Sequence, residues 1–178
     1  NSPFGQASGP VTTGWLGAVR ATFIARHGAG HAIPPADVNY RANIDVLKRC
    51  GVTDVLAISA VGSLNEAMAP GAFVAVDQFV DRTMGRQGSF FGAGLVAHVG
   101  LADPVCPRLS GMARDVARHA GATVHDGGCY VAVEGPQFST RAESRLYRSW
   151  GCDVIGMTAM PEARLARART SPPMVMPS

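Results

Sequence analysis

Short apolar runs and segments of helical spacing alternate along the chain, and this alternation predicts an α/β domain built on a largely buried sheet. Strands are expected over 21–25 and over 54–60, where Val55, Leu56 and Ile58 form the near-continuous apolar run of a strand buried on both faces. Between them a helix is expected: Asp37 is a candidate N-cap, Ile44, Val46 and Leu47 supply an apolar face, and Gly51 stands where a glycine cap belongs. Residues 73–79 read as a strand and the glycine-rich stretch 84–100 as a loop. Pro107 can open a helix that runs to Ala120 and ends at Gly121. Residues 123–133 are again strand-like. Thr140-Arg141-Ala142-Glu143 spells a capping box, starting a helix to about Trp150. A short strand over 153–157 and a helix from Pro161 to Ala168 complete the pattern. The ends follow neither rhythm. Residues 1–18, rich in Gly, Pro, Ser and Thr up to Gly14, read as a loop leading into a single domain that spans 1–178, and 169–178 reads as an atypical, proline-rich tail.

Composition narrows the class. The chain has 178 residues, 47% of them hydrophobic, enough to bury a full core. Its apolar runs are too short for a membrane-spanning helix, so no membrane partner is expected. Sixteen Lys+Arg stand against 13 Asp+Glu, scattered and without interleaved aromatics, which argues against nucleic-acid binding. Cys50, Cys106, Cys129 and Cys152 form no C-x-x-C pair and no zinc spacing; they read as reduced, mostly packed thiols in a reducing compartment, with cytoplasm the expected location.

Several segments could carry chemistry. Arg26-His27-Gly28 follows an expected strand, so an arginine fork, an imidazole and a close backbone approach meet where open α/β sheets bind ligands. An exposed strand end with a solvated arginine is the alternative. His27 and His31 are four apart, yet the intervening glycines and the lack of a nearby carboxylate argue against a metal. Ser59-Ala60-Val61-Gly62-Ser63 would end its strand at the same sheet edge, if the strands run parallel, with small residues and amides suited to phosphate. In Glu134-Gly135-Pro136-Gln137-Phe138-Ser139, Phe138 could wall an aromatic ligand or be a buried loop aromatic. Glu134 could bind hydroxyls or base nitrogens, or accept from a local arginine such as Arg141. No P-loop, no G-x-G-x-x-G and no G-x-S-x-G is present, which disfavours ATP, NAD and serine-hydrolase chemistry.

Taken together, Ile24-Ala25-Arg26-His27-Gly28, Val38-Asn39-Tyr40-Arg41-Ala42-Asn43, Ala60-Val61-Gly62-Ser63-Leu64, Asp77-Gln78-Phe79-Val80-Asp81-Arg82-Thr83, Glu134 to Ser144, and Gly156-Met157-Thr158 with Pro161-Glu162 resemble the trimeric purine nucleoside phosphorylases. The D-Q-F-V-D-R-T and F-S-T-R-A-E-S stretches are most similar to the methylthioadenosine phosphorylase branch. The resemblance implies a mixed, twisted central sheet flanked by helices in three layers. It implies phosphorolysis of S-methyl-5′-thioadenosine to adenine and 5-methylthioribose 1-phosphate, with inorganic phosphate as co-substrate and no cofactor or metal. By similarity Arg26, His27, Ser59, Ala60 and Thr158 bind phosphate, Met157 underlies the ribose, and Phe138 walls the purine with Ser139 beside it. His98 matches a histidine that reaches a neighbouring subunit's site, implying a homotrimer with shared sites.

The family pattern also has a phosphate-binding glycine loop upstream of Asn1, and beyond the Pro161-Glu162 helix a strand whose Asp or Asn meets the purine N7. No catalytic residue is therefore assigned within 1–178, and the chain is expected to be a fragment or a truncated product of low activity. A 6-oxopurine phosphorylase, acting on methylthioinosine, inosine or guanosine, and a non-catalytic remnant that binds phosphate or nucleoside are the alternative readings.

Overall fold

The computed structural model describes residues 2–170 and 174–175. Its centre is a four-stranded sheet in the order β3-β9-β8-β5, formed by Gly62–Ser63 (β3), Gln78–Arg82 (β5), Cys129–Val133 (β8) and Val154–Gly156 (β9). β5, β8 and β9 run parallel and β3 is antiparallel to β9, so the sheet is mixed. β8 explains the layering. Val131 and Val133 pack with Tyr147 of the helix Arg141–Ser149 (α3) on one face. Tyr130 and Ala132 pack with Met160, at the start of the helix Ala159–Thr170 (α4), on the other. Period-two alternation along one buried strand thus serves two helices, giving helix, sheet and helix in three layers.

A second parallel pair, Phe73–Ala75 (β4) with Val124–Asp126 (β7), forms its own two-stranded ladder just before β5 and β8. The expected strands 73–79 and 123–133 are each split in two, at Val76-Asp77 and at Gly127-Gly128. The breaks face each other: Asp77 N–H donates to the Gly128 carbonyl at 3.1 Å, and the two glycines take φ of +79° and +146°, which a β-branched residue would resist. The helix Pro107–His119 (α2), with its proline in the first turn as expected, covers β4 and β7.

Other expectations are revised. The segment leading into the domain is ordered: Thr12–Leu16 (β1) and Val19–Phe23 (β2) form an antiparallel hairpin turning at Gly17, which shifts the strand expected at 21–25 back by two residues. Before it, Ser8 N–H donates to Asn43 Oδ1 at 2.8 Å and Asn39 Nδ2 donates to the Phe4 carbonyl at 2.8 Å, tying the first residues to the helix Tyr40–Arg49 (α1). The cap of α1 is Asn39, whose Oδ1 accepts from Ala42 N–H, whereas Asp37 closes a short 3₁₀ turn. Residues 54–60 form no strand. Among the described residues no strand pairs with them, and Leu56 is 63% and Ile58 71% exposed. The loop 84–100 contains Ala97–His98 (β6), which pairs antiparallel with Met174–Val175 (β10), inside the stretch expected to be tail. The rest of that tail, 171–173 and 176–178, lies outside the described residues. No described helix is long and apolar enough to cross a membrane.

Candidate active site

Arg26 is not a solvated strand end. Its Nε donates to Glu162 Oε1 at 2.9 Å and its Nη2 to Glu162 Oε2 at 2.7 Å, a two-pronged ion pair in which both side chains are largely buried. Two of the fork's three nitrogens are thereby fixed, and the third, Nη1, points to the Ile58 carbonyl at 3.5 Å, beside Ser59 and Ala60. Burial works against the Arg26 charge, but the Glu162 hydrogen bonds and charge outweigh it, so the guanidinium titrates above its ordinary value and stays protonated. Glu162 lies in the first turn of α4, just after Thr158, whose N–H donates to the buried Tyr130 hydroxyl at 3.4 Å. Arg26 thus gathers three segments far apart in sequence: its own loop, the 58–60 stretch and the start of α4.

The route to this juxtaposition differs from the expected one. β2 belongs to the hairpin and, among the described residues, no strand pairs with 54–60, so no shared parallel sheet edge aligns Arg26 with Ser59; the Arg26 side chain and Glu162 do so instead. Ser59 and Ala60 are exposed. His27 is held by the Ile33 carbonyl, 2.8 Å from Nδ1, and stacks on His31 with centroids 4.1 Å apart. The stacking consumes a ring face of each imidazole, and among the described residues no group of three His, Cys, Asp or Glu could hold a metal.

A second constellation is built around Arg86, which the sequence reading passed over. Its side chain is 3% exposed and every nitrogen is used. Nε donates to Glu134 Oε1 at 3.0 Å and Nη2 to the Glu134 carbonyl at 2.8 Å, while Nη1 donates to the carbonyls of Met157 and Met160 at 2.7 and 2.9 Å and to Tyr40 Oη at 3.1 Å. Glu134 Oε2 accepts from Met84 N–H at 2.6 Å. Glu134 is therefore the acceptor of Arg86, not of Arg141. One guanidinium ties the ends of β8 and β9 to α1 and to the bend in the first turn of α4, where Met160 is non-helical. Tyr40, donating to the Pro35 carbonyl at 2.9 Å, is pushed up to about 12 by burial, with the Arg86 charge pulling the other way.

Met157 lies against Gly135, where an added Cβ would stand 2.5 Å from the Met157 sulfur; that turn, at φ +71°, needs a glycine twice over. Phe138, further along the same turn, is 89% exposed and is not a buried loop aromatic. Ser139 shares a 2.8 Å hydrogen bond with Ser144. His98 is exposed on β6, where it pairs with Met174 of β10. Two surface cavities, one lined by Gln6, Ser8 and Asp37 and the other by Asp77, Asp103 and Arg114, include none of the expected site residues.

The mixed sheet flanked by helices places the chain in the α/β class, and residues 1–176 match the phosphorylase superfamily: the chain belongs to that family. It is 60% identical over 166 residues to the S-methyl-5′-thioadenosine phosphorylase of Cereibacter sphaeroides and 57% identical over the same length to that of Rhodospirillum rubrum, covering 93% of this chain in each case. It spans 57% and 56% of the lengths of those two relatives. Among solved structures, methylthioadenosine phosphorylase from Schistosoma mansoni in the apo form superposes with a TM-score of 0.92 at 39% identity, covering 94% of this chain and 67% of that one. The same protein in complex with tubercidin gives the same score.

Proposed function

We propose that the protein catalyses phosphorolysis of S-methyl-5′-thioadenosine, releasing adenine and 5-methylthioribose 1-phosphate. The observation that carries the reading is the Arg26 fork. Glu162 fixes two of its nitrogens, and the third is directed at the 58–60 stretch, so a cation is held in one orientation beside small residues and the Thr158 end of β9. The identity to relatives that bear this activity in their names supports the substrate.

In this reading phosphate sits between Arg26, His27, Ser59, Ala60 and Thr158. It attacks the anomeric carbon as the bond to the purine breaks; electrons leave with the base, and the oxocarbenium-like sugar is met by the phosphate oxygen. No covalent enzyme intermediate forms, so orientation and charge placement supply the catalysis. Met157 underlies the ribose, and its position is set through Gly135 and Arg86. Phe138 offers an unobstructed ring face to the purine, and Ser139 lies next to it. His98 enters the site of a neighbouring copy in a homotrimer, which explains its exposure away from its own site. Activation of the leaving purine is assigned to no residue of this chain. The reaction needs no cofactor, and four free thiols suit a reducing compartment such as the cytoplasm.

The test is the initial rate of base release from S-methyl-5′-thioadenosine, S-methyl-5′-thioinosine and inosine under equal phosphate. Preference for the first is expected. Preference for either 6-oxopurine nucleoside would overturn the substrate assignment while leaving the phosphorylase chemistry in place, and binding without turnover would favour a non-catalytic remnant.

A further inference from the structure

Cys129 opens β8 and Cys152 lies just before β9, and their sulfur atoms are 3.9 Å apart although the residues are 23 positions apart in sequence. The backbone fixes this approach. Asp153 N–H donates to the Cys129 carbonyl at 2.8 Å, and Cys129 N–H donates to Asp153 Oδ2 at 2.9 Å, so the two sulfur-bearing residues are pinned across adjacent parallel strands. Cys152 is 4% exposed among Val131, Leu64 and Tyr147, whereas Cys129 is half-buried at the margin of the same cluster. Neither Cys50, at the end of α1, nor the exposed Cys106 has a second thiol in contact. None of these groups takes part in the proposed phosphorolysis.

We propose that Cys129 and Cys152 are a redox-responsive dithiol, converted by a hydroperoxide into an intramolecular disulfide. Cys129, the less buried of the two, attacks a peroxide oxygen: an S–O bond forms, the O–O bond breaks, and the departing oxygen leaves as water, giving a sulfenic acid. The Cys152 sulfur then attacks the sulfenic sulfur; the S–S bond forms, the S–O bond breaks, and hydroxide takes the Cys152 proton and leaves as water. Two thiols lose two electrons in all, and hydrogen peroxide receives them in becoming two molecules of water. Burial raises the Cys129 thiol and pushes Cys152 up to about 12, so thiolate is scarce and the disulfide accumulates under sustained oxidant rather than in a burst. The cross-link closes the entering ends of β8 and β9, the ends opposite Glu134 and Met157, and joins strands that are already hydrogen-bonded neighbours.

The experiment treats the protein with excess hydrogen peroxide, quenches in acid, unfolds it, alkylates the free thiols and maps the peptides by mass spectrometry. Two of the four thiols are expected to resist alkylation, with the peptides bearing Cys129 and Cys152 joined and lighter by two hydrogens. Cys50→Ser and Cys106→Ser should leave that pair intact. In Cys152→Ser the intramolecular link should disappear and Cys129 should carry oxygen instead. Alkylation of all four thiols after oxidant, a protected pair that includes Cys50 or Cys106, or a link found only between chains would overturn the proposal. The mapping of the unsubstituted protein decides it even if a variant folds poorly.

Discussion

Arg86 is the side chain on which the site most depends for its shape, and nothing near it in sequence announces that. Its partners lie 46 to 74 positions away, and a buried guanidinium with a full set of acceptors is a product of tertiary structure, not of any local motif. Replacing it removes the donors to Glu134 Oε1 and to the carbonyls of Glu134, Met157 and Met160, so Arg86→Met is expected to cost roughly 3–5 kcal/mol in urea unfolding; a loss below about 1 kcal/mol would show that the constellation is not structural. Phe138 is the opposite case. At 89% exposure it contributes little to folding, so Phe138→Ala should leave stability within about 0.5 kcal/mol and weaken nucleoside binding by about 0.5–1.5 kcal/mol, read by titration calorimetry. An unchanged nucleoside affinity would remove Phe138 from the purine site. Motif reading singled out Arg26, Thr158 and Met157 because their neighbours carry the pattern; it named neither Glu162 as the partner of Arg26 nor Arg86 as the partner of Glu134, since ion pairing is decided by the fold.

Elements whose signals are local were legible, and those that depend on a distant neighbour were not. The capping box of α3 forms as the sequence spells it: Glu143 N–H donates to Thr140 Oγ1 at 3.2 Å and Thr140 N–H to Glu143 Oε2 at 2.7 Å. That backbone hydrogen bond, and a second from the Thr140 hydroxyl, hold the exposed Glu143 carboxyl below its usual range. Thr140→Ala should cost about 0.5–2 kcal/mol in thermal unfolding and Thr140→Ser much less; equal losses would mean that the cap is not the cause. The proline that opens α2 was readable for the same reason. The apolar run 54–60 shows the limit. Alternation and hydrophobicity make a segment fit for a sheet, but a strand exists only where another strand accepts its hydrogen bonds, and among the described residues none does. Gly156 shows what a pattern hides in the other direction: a Cβ there would lie 2.0 Å from Tyr130 Oη, so strand β9 passes β8's tyrosine only because it carries no side chain at that point. Gly156→Ala should destabilise by about 1–3 kcal/mol.

Across the whole molecule, Tyr40 couples α1 to the site through Arg86 and gives the fold a characteristic alkaline weakness. Its folded value, about 12 against an ordinary 10, means that the native state holds the proton the unfolded chain releases. This contribution is therefore complete below about pH 10 and is lost as the pH rises through 12. Tyr40→Phe should flatten that part of the stability profile measured by urea unfolding; an unchanged alkaline slope would assign it to other groups. The three-layer arrangement was legible only through the family resemblance; in the structure it is carried by β8, which alternates between faces that two helices cover. The approach of Arg26 to the 58–60 stretch was expected, but the Glu162 ion pair that holds it there was not.

The most direct test of the account is the rate of adenine release from S-methyl-5′-thioadenosine as inorganic phosphate is varied, in the unsubstituted protein and in Arg26→Ala. Release should be absent without phosphate and saturate as phosphate rises, and the substitution should raise the phosphate requirement by about 1–3 kcal/mol, some five- to 150-fold. Release that proceeds without phosphate, or an Arg26→Ala protein with an unaltered phosphate dependence, would contradict it.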